Sequence, residues 1–473
     1  MRRALALFGL LALLVAGCGG STAATGSVPG AASLAPADSL AYVTLVTDEG
    51  SSQWQKADRL LSLFPGARES LVGAVERALS DEELTWEGDV APALGPEVVV
   101  VVLASQQPIV LTKPDSEAKL SALLGTAGEQ SVHTRVADGW TAIAEEQSHL
   151  AAYTEAVGRG TLERDAGFVS SFEGLPEEAL ARAWVDAAAL SRDVQSLVEG
   201  AGSELDLGLD SLSAAVSTED DGVFLGVVFE GPEGTGTTSY EPKLFDRVPG
   251  DAVAALSFGG TQGALDRIQS SVDVDAISGQ LEDLLGISLD GIVDALSGEG
   301  VLYVRDGGGS IPEVTLVLAP PDPDDTYAML EKLGARVADE GGGEVSTTTE
   351  DGLAVTVIAM GDLSLRYARL DSETVIVTTG ATAIRTFRGD DEKLVDTSAF
   401  ESAATRVELG DRTRGFVYVD IDGLVPFVEG LVGADAVPSD AREILGNLDS
   451  VILQTEGDGD ITRATGFVRV TGA

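Results

Sequence analysis

The chain has 473 residues, 44% of them hydrophobic, and 77 acidic residues against 30 basic ones leave a formal net charge of −47. The hydrophobic share supports a globular fold over disorder, and this length exceeds one usual core, so two or more units are expected. So acidic a surface repels nucleic acid and anionic lipid head groups while keeping the protein soluble, which excludes a nucleic-acid partner.

The chain opens with Met1-Arg2-Arg3 and an apolar run from Ala4 to Ala16, broken only by Gly9. A basic start, a short apolar core and small residues before a cleavage point read as a secretory signal over residues 1–17. The run is too short to span a bilayer, which takes about 20 apolar residues. It ends in Leu14-Val15-Ala16-Gly17-Cys18, and Cys18 is the only cysteine in the chain. This ending resembles the lipobox of bacterial lipoproteins, with Leu14, Val15, Ala16 and Gly17 as its flanking positions. The resemblance implies that the Cys18 thiol accepts a diacylglyceryl group and that Cys18 becomes the first residue after cleavage. It also implies a lipid-anchored protein on the outer face of the cell membrane. Each buried CH₂ contributes about 0.8 kcal/mol, and two acyl chains hold where one is marginal. With that thiol acylated, disulfides, thiol catalysis and Cys-based zinc sites are excluded. Gly19 to Ser27 is rich in small residues, so residues 18–33 read as a flexible tether.

The first body, residues 34–232, begins with a strand at Leu40–Val46. Trp54, Ala57, Leu60, Leu61 and Phe64 then fall on one helical face, ended by Pro65-Gly66. A second helix carries Leu71, Val72, Val75, Ala78 and Leu79. Val98–Leu103 is too β-branched for a preferred helix and reads as a buried strand, followed by a strand at Ile109–Leu111. Ala118, Leu120 and Leu124 mark a helix, and Val132–Val136 and Trp140–Ala144 mark strands. Leu190, Val194, Leu197 and Val198 mark another helix before a closing strand at Val223–Phe229. Residues 233–246 are a Gly- and Thr-rich linker without periodicity.

The second body, residues 247–473, repeats the first in collinear order. Pro36-Ala37-Asp38 and Pro249-Gly250-Asp251 each lead into a strand. Ala93-Leu94-Gly95 before Val98–Leu103 matches Ala295-Leu296-Ser297 before Val301–Val304. Pro114-Asp115 and Pro321-Asp322 each open a helix ending in Leu-Gly. Asp165–Phe168 matches Thr397–Phe400, and Ala183–Asp186 matches Val417–Asp420. Leu353–Met360 and Leu363–Leu370 are surplus in the second body and read as an extra hairpin. Strands in pairs with helices between them predict an α+β fold, internally duplicated, with two mainly antiparallel sheets.

No residue cluster commits to a reaction. His133 and His149 stand apart from any Ser/Asp triad pattern or His-Glu-x-x-His spacing, so no catalytic and no metal site is assigned. Gly307-Gly308-Gly309 and Gly341-Gly342-Gly343 lack the Gly-Lys-Ser/Thr of a phosphate loop, and no cofactor is expected. Glu219–Gly222 and Glu456–Asp460 occupy matching places between strands. Asp-Gly turn chemistry explains them, with a weak calcium site as the sharper alternative. Trp54, Trp86, Trp140 and Trp184 are scattered and build no aromatic platform for a sugar.

Pro36–Val43, the Trp54–Leu61 helix and Leu175–Asp186 resemble an envelope family of bacteria, domain of unknown function 3352. The resemblance covers most of the chain beyond Cys18 and implies no activity, catalytic residue or cofactor. The expected function is that of a membrane-anchored, non-enzymatic binding or structural protein, its partner a protein or an apolar ligand. The alternative is a carrier of lipid or another apolar ligand, which needs a lined apolar cavity. An enzyme would need convergent titratable groups in a concave site.

Overall fold

The computed structural model describes residues 30–68, 70, 73, 77, 79, 84–125, 132–197, 209–231, 238–260, 286–308, 311–341, 343–433 and 437–472. The chain divides into two compact units, Met1–Pro232 with Arg463–Ala473, and Glu233–Thr462.

In the first unit the strands are β1 (Ala41–Val46), β2 (Glu97–Val102), β3 (Pro108–Thr112), β4 (His133–Ala137), β5 (Trp140–Ala144), β6 (Ala181–Asp186), β7 (Ser211–Glu219) and β8 (Gly222–Glu230). Their antiparallel ladders run in the order β4-β5-β3-β2-β1-β6-β7-β8. The valine run of β2 suits a strand covered on both faces, and Val98, Val99 and Val101 are buried. Central strand β1 places Tyr42 between Val101 and Trp184. Helix α1 (Ser52–Leu61) starts where the Ser51 hydroxyl accepts from Trp54 N at 3.3 Å. Gln53 then fixes it to β7, its Oε1 accepting from Thr218 N at 2.7 Å. The other helices are α2 (Ala91–Leu94), α3 (Glu117–Gly125), α4 (Gln147–Arg159), α5 (Ala166–Ser170) and α6 (Ala187–Leu197). Phe168 of α5 is the hub of the core, with Tyr42, Phe172 and Trp184 edge-on at 5.4, 5.2 and 5.3 Å.

In the second unit the strands are β9 (Ala252–Phe258), β10 (Glu299–Arg305), β11 (Glu313–Ala319), β12 (Glu344–Glu350), β13 (Leu353–Met360), β14 (Leu363–Arg369), β15 (Val375–Thr378), β16 (Gly415–Asp420) and β17 (Leu448–Asp458). Their antiparallel ladders run β12-β13-β14-β15-β11-β10-β9-β16-β17. The helices are α7 (Leu289–Leu296), α8 (Pro323–Gly341), α9 (Ala383–Arg388), α10 (Ser398–Arg406), α11 (Ile421–Val432) and α12 (Ser439–Leu445). Phe400 of α10 holds the place of Phe168, with Phe245 and Tyr418 at 5.1 and 5.2 Å.

The same local devices recur in both units. A bridge joins Pro36 to Thr161 in the first and Pro249 to Lys393 in the second. Asp165 caps α5 through Phe168 N at 2.8 Å, and Thr397 caps α10 through Phe400 N at 3.4 Å. Asp186 accepts from Ala189 N at 2.7 Å and Asp420 from Gly423 N at 3.0 Å, each opening the next helix.

Two expectations are corrected. The α+β class and antiparallel ladders stand, but the strands do not part into two sheets: all eighteen belong to one hydrogen-bonded network. The last strand, β18 (Ile461–Val470), pairs with β8, where Val470 N donates to Asp221 O at 3.0 Å. Burying Phe467 and Val470 favours that pairing, so the first unit takes its final strand from the end of the chain. The extra hairpin is also shifted. β14 and β15 stand where β4 and β5 do, so the surplus strands are β12 and β13. The helix expected at Leu71–Leu79 and the core of the linker fall largely outside the described residues. Among those described, no helix is long and apolar enough to cross a membrane.

Candidate functional site

Leu14, Val15, Ala16, Gly17 and Cys18, the positions assigned from sequence, lie outside the described residues. His133 opens β4 half-buried, and His149 sits in the first turn of α4 with Nε2 3.8 Å from Glu146 Oε2. Among the described residues no group of three or more His, Cys, Asp or Glu is placed to hold a metal.

The two acidic turns are braced by cations. At the β7–β8 hairpin Glu219 meets Lys56 at 3.0 Å, Asp220 meets Arg59 at 2.8 Å and Asp221 meets Arg469 at 3.9 Å. In the matching turn Arg414 donates to Gly459 O at 3.3 Å and Thr462 Oγ1 at 2.5 Å, while Gly459 takes φ +60. Glycine adopts positive φ without steric cost, so this is turn chemistry.

The most developed charged site went unnoticed in the sequence. Arg305 ends β10 directly opposite Glu313, which begins β11. Its Nε donates to Glu313 Oε1 at 2.5 Å, and one terminal nitrogen reaches both oxygens of Asp251 at 2.9 Å. The other donates to Glu313 Oε2 at 3.4 Å and to Thr382 and Thr386 Oγ1 at 3.3 Å. The side chains of Arg305 and Glu313 are 8% and 0% exposed. Burial opposes the charge on Arg305, but the hydrogen bonds it donates to Glu313 and Asp251 outweigh it and hold the guanidinium above its usual pKa. Every nitrogen of the fork is engaged, so the cluster is a clamp joining β10, β11, the lead-in to β9 and the start of α9. One sequence signal could have found it: Arg305 and Glu313 flank the glycine turn at the ends of two otherwise apolar strands.

A pair of half-buried acids marks corresponding places. Glu299 begins β10 and accepts from Leu244 N at 2.5 Å. Burial pushes its pKa up to about 6; the Leu244 N–H opposes the rise and Asp246 adds to it. Glu97 begins β2, and burial likewise raises its pKa against the pull of Arg182. Beside it, burial and Glu97 raise the pKa of the Tyr42 hydroxyl, which accepts from Ala31 N at 3.3 Å. Both acids hold or adjoin the segment that leads into the first strand of their unit.

A family model described as "Protein of unknown function (DUF3352)" matches residues 121–470. No curated protein matches the chain. Among solved structures, the chain is similar to crystal forms III and IV of TP0453, each at 13% identity, with TM-scores of 0.25 and 0.26. Those matches cover 48% and 47% of this chain and 93% and 91% of the other. Crystal form I matches at 9% identity and a TM-score of 0.23, covering 43% of this chain and 79% of the other.

Proposed function

We propose, from the premise that the chain belongs to the DUF3352 family, that it is a lipid-anchored lipoprotein on the outer face of the cell membrane whose body binds a partner and performs no catalysis. The observation that carries the anchor is Leu14-Val15-Ala16-Gly17-Cys18 directly after a basic start and a short apolar run. The body is a duplicated α+β unit. The shared strand order and the paired bridges at Pro36 and Pro249 support that reading. The binding role is supported by where the buried charges go. Arg305 is saturated by Glu313, Asp251 and two threonines, and Glu299 is spent on Leu244 N. These groups hold the fold instead of facing a substrate. The membrane partner is met through the acyl chains on Cys18, and a protein partner through the exposed body.

The test is capture of the tethered protein from its native membrane after cross-linking, followed by proteomics and lipidomics. A reproducible protein partner is the expected result. Co-purified lipid in the interior would transfer the reading to carriage of an apolar ligand, and an empty capture would contradict a binding role.

A further inference from the structure

Strand β12 is surplus to the duplicated plan and forms the outer edge of the second unit's ladders. Its seven residues pair with β13 from Glu344↔Ala359 to Glu350↔Leu353 without a shift in register. Among the described residues β12 pairs with β13 alone, so its other edge carries no ladder. Glu344 to Thr349 are exposed, with Val345 at 48%.

Free edges invite pairing, and proteins blunt them with short strands, Pro, Lys, bulges or a covering element. Among the described residues β12 has none of these along its free edge, and Thr347, Thr348 and Thr349 give it strong β-propensity. The outer strand of the first unit differs. β4 has five residues, carries Arg135 at its centre, and is tied to α4 through Arg135 and Thr154.

What β12 does carry is a carboxylate at each end. Glu344 and Glu350 share a face with Ser346 and Thr348 between them. Antiparallel pairing of two copies about Thr347 would set Glu344 opposite the other copy's Glu350 at both ends, and like charges directly opposite destabilise. The edge is therefore open to a strand but discourages a second copy of itself. Glu350 is already ion-paired with Arg366 at 2.5 Å and remains 27% exposed.

We propose that β12 is the acceptor edge for strand addition by an extended basic segment of a partner protein. Main-chain hydrogen bonds along Glu344–Glu350 supply the affinity, and Lys or Arg opposite Glu344 and Glu350 supply the choice of partner. The net charge of −47 draws such a segment in. This rests on the reading of the body as a binding module and names the chemistry of what it binds.

The test uses the full chain in detergent and two fluorescent heptapeptides, KTVTVTK and its acidic control ETVTVTE. Anisotropy titrations are expected to show the basic peptide binding at least tenfold tighter, with affinity falling as salt rises. Hydrogen exchange at residues 344–350 slows in that complex. The exposed substitution Glu344→Lys removes the preference. Equal binding of the two peptides, unchanged exchange along β12, or a dimer of the chain that protects β12 would each overturn the proposal. Failure here beside a protein partner captured from the membrane sinks the edge assignment alone, whereas an empty capture sinks the binding role itself.

Discussion

Arg305 is gripped from several sides, and what its removal leaves behind sets the cost. Glu313, with a side chain 0% exposed, would become a buried carboxylate without its cation. Breaking a buried pair costs about 3–5 kcal/mol, while replacing both partners with apolar residues is often neutral. Arg305→Met is therefore expected to lower unfolding stability by that amount in urea titrations. Adding Glu313→Leu restores most of it. Glu299 makes a pH prediction. Its folded pKa of about 6 lies above the ordinary value of 4.5, so the fold keeps a proton that the unfolded chain releases within this window. Protonated Glu299 stabilises the fold below the lower value, and that contribution fades as pH rises through the upper one. The shift corresponds to ~2 kcal/mol at most, and partial exposure reduces it to ~1 kcal/mol. Glu299→Gln should lessen the fall in stability between pH 4.5 and pH 6 relative to the parent chain. An identical slope in both would refute this role. Glu299 was not legible in the sequence as a site, and of the Arg305 clamp only the placing of Arg305 and Glu313 on either side of the glycine turn was. Arg305 finds Asp251 across 54 positions, a separation that no local spacing reveals. The acidic turns were legible, because Asp-Gly pairs between apolar runs carry their own turn chemistry.

At the scale of elements, two glycines show how closely each hairpin is fitted. A Cβ on Gly95, which leads into β2, would lie 1.9 Å from Lys113 O at the exit of β3. A Cβ on Gly298, which leads into β10, would lie 2.0 Å from Ala319 O at the exit of β11. Alanine at either position must push two paired strands apart, and overpacking of this kind typically costs about 1–3 kcal/mol. Gly95→Ala should cost more than Gly298→Ala, because Gly95 also holds φ +71, a left-handed backbone that costs an L-residue a further ~1–2 kcal/mol. Thermal melts of the two variants check both the size and the order. Most strands could be read in advance because β-branched runs such as Val98–Leu103 and punctuation such as Pro36-x-Asp38 are local signals. Strand order was not legible, since each ladder depends on partners far along the chain. For the same reason local pattern alone joins β13 and β14 as the surplus hairpin. Only the ladder of β15 with β11 shows that β14 belongs to the common plan and β12 does not.

For the whole molecule, two or more units could be anticipated from the chain's length, but the boundary between the two compact units could not. The final strand pairs with β8, which moves Arg463–Ala473 into the first unit. An acidic surface with a net charge of −47 would be repelled by anionic lipid, so the body has no electrostatic hold on such a membrane. Under the proposed function attachment falls to the acyl chains on Cys18, and Cys18→Ser should then move the protein from the membrane to the soluble fraction. Partitioning of the variant with membranes would show that something other than the lipid holds it. The most direct measurement is the mass of the N-terminal peptide from protein purified out of its native membrane. The expected result is a peptide that begins at Cys18 and carries a diacylglyceryl adduct on the thiol. A chain that begins elsewhere, or an unmodified Cys18, would contradict the lipid anchor on which the proposed function stands.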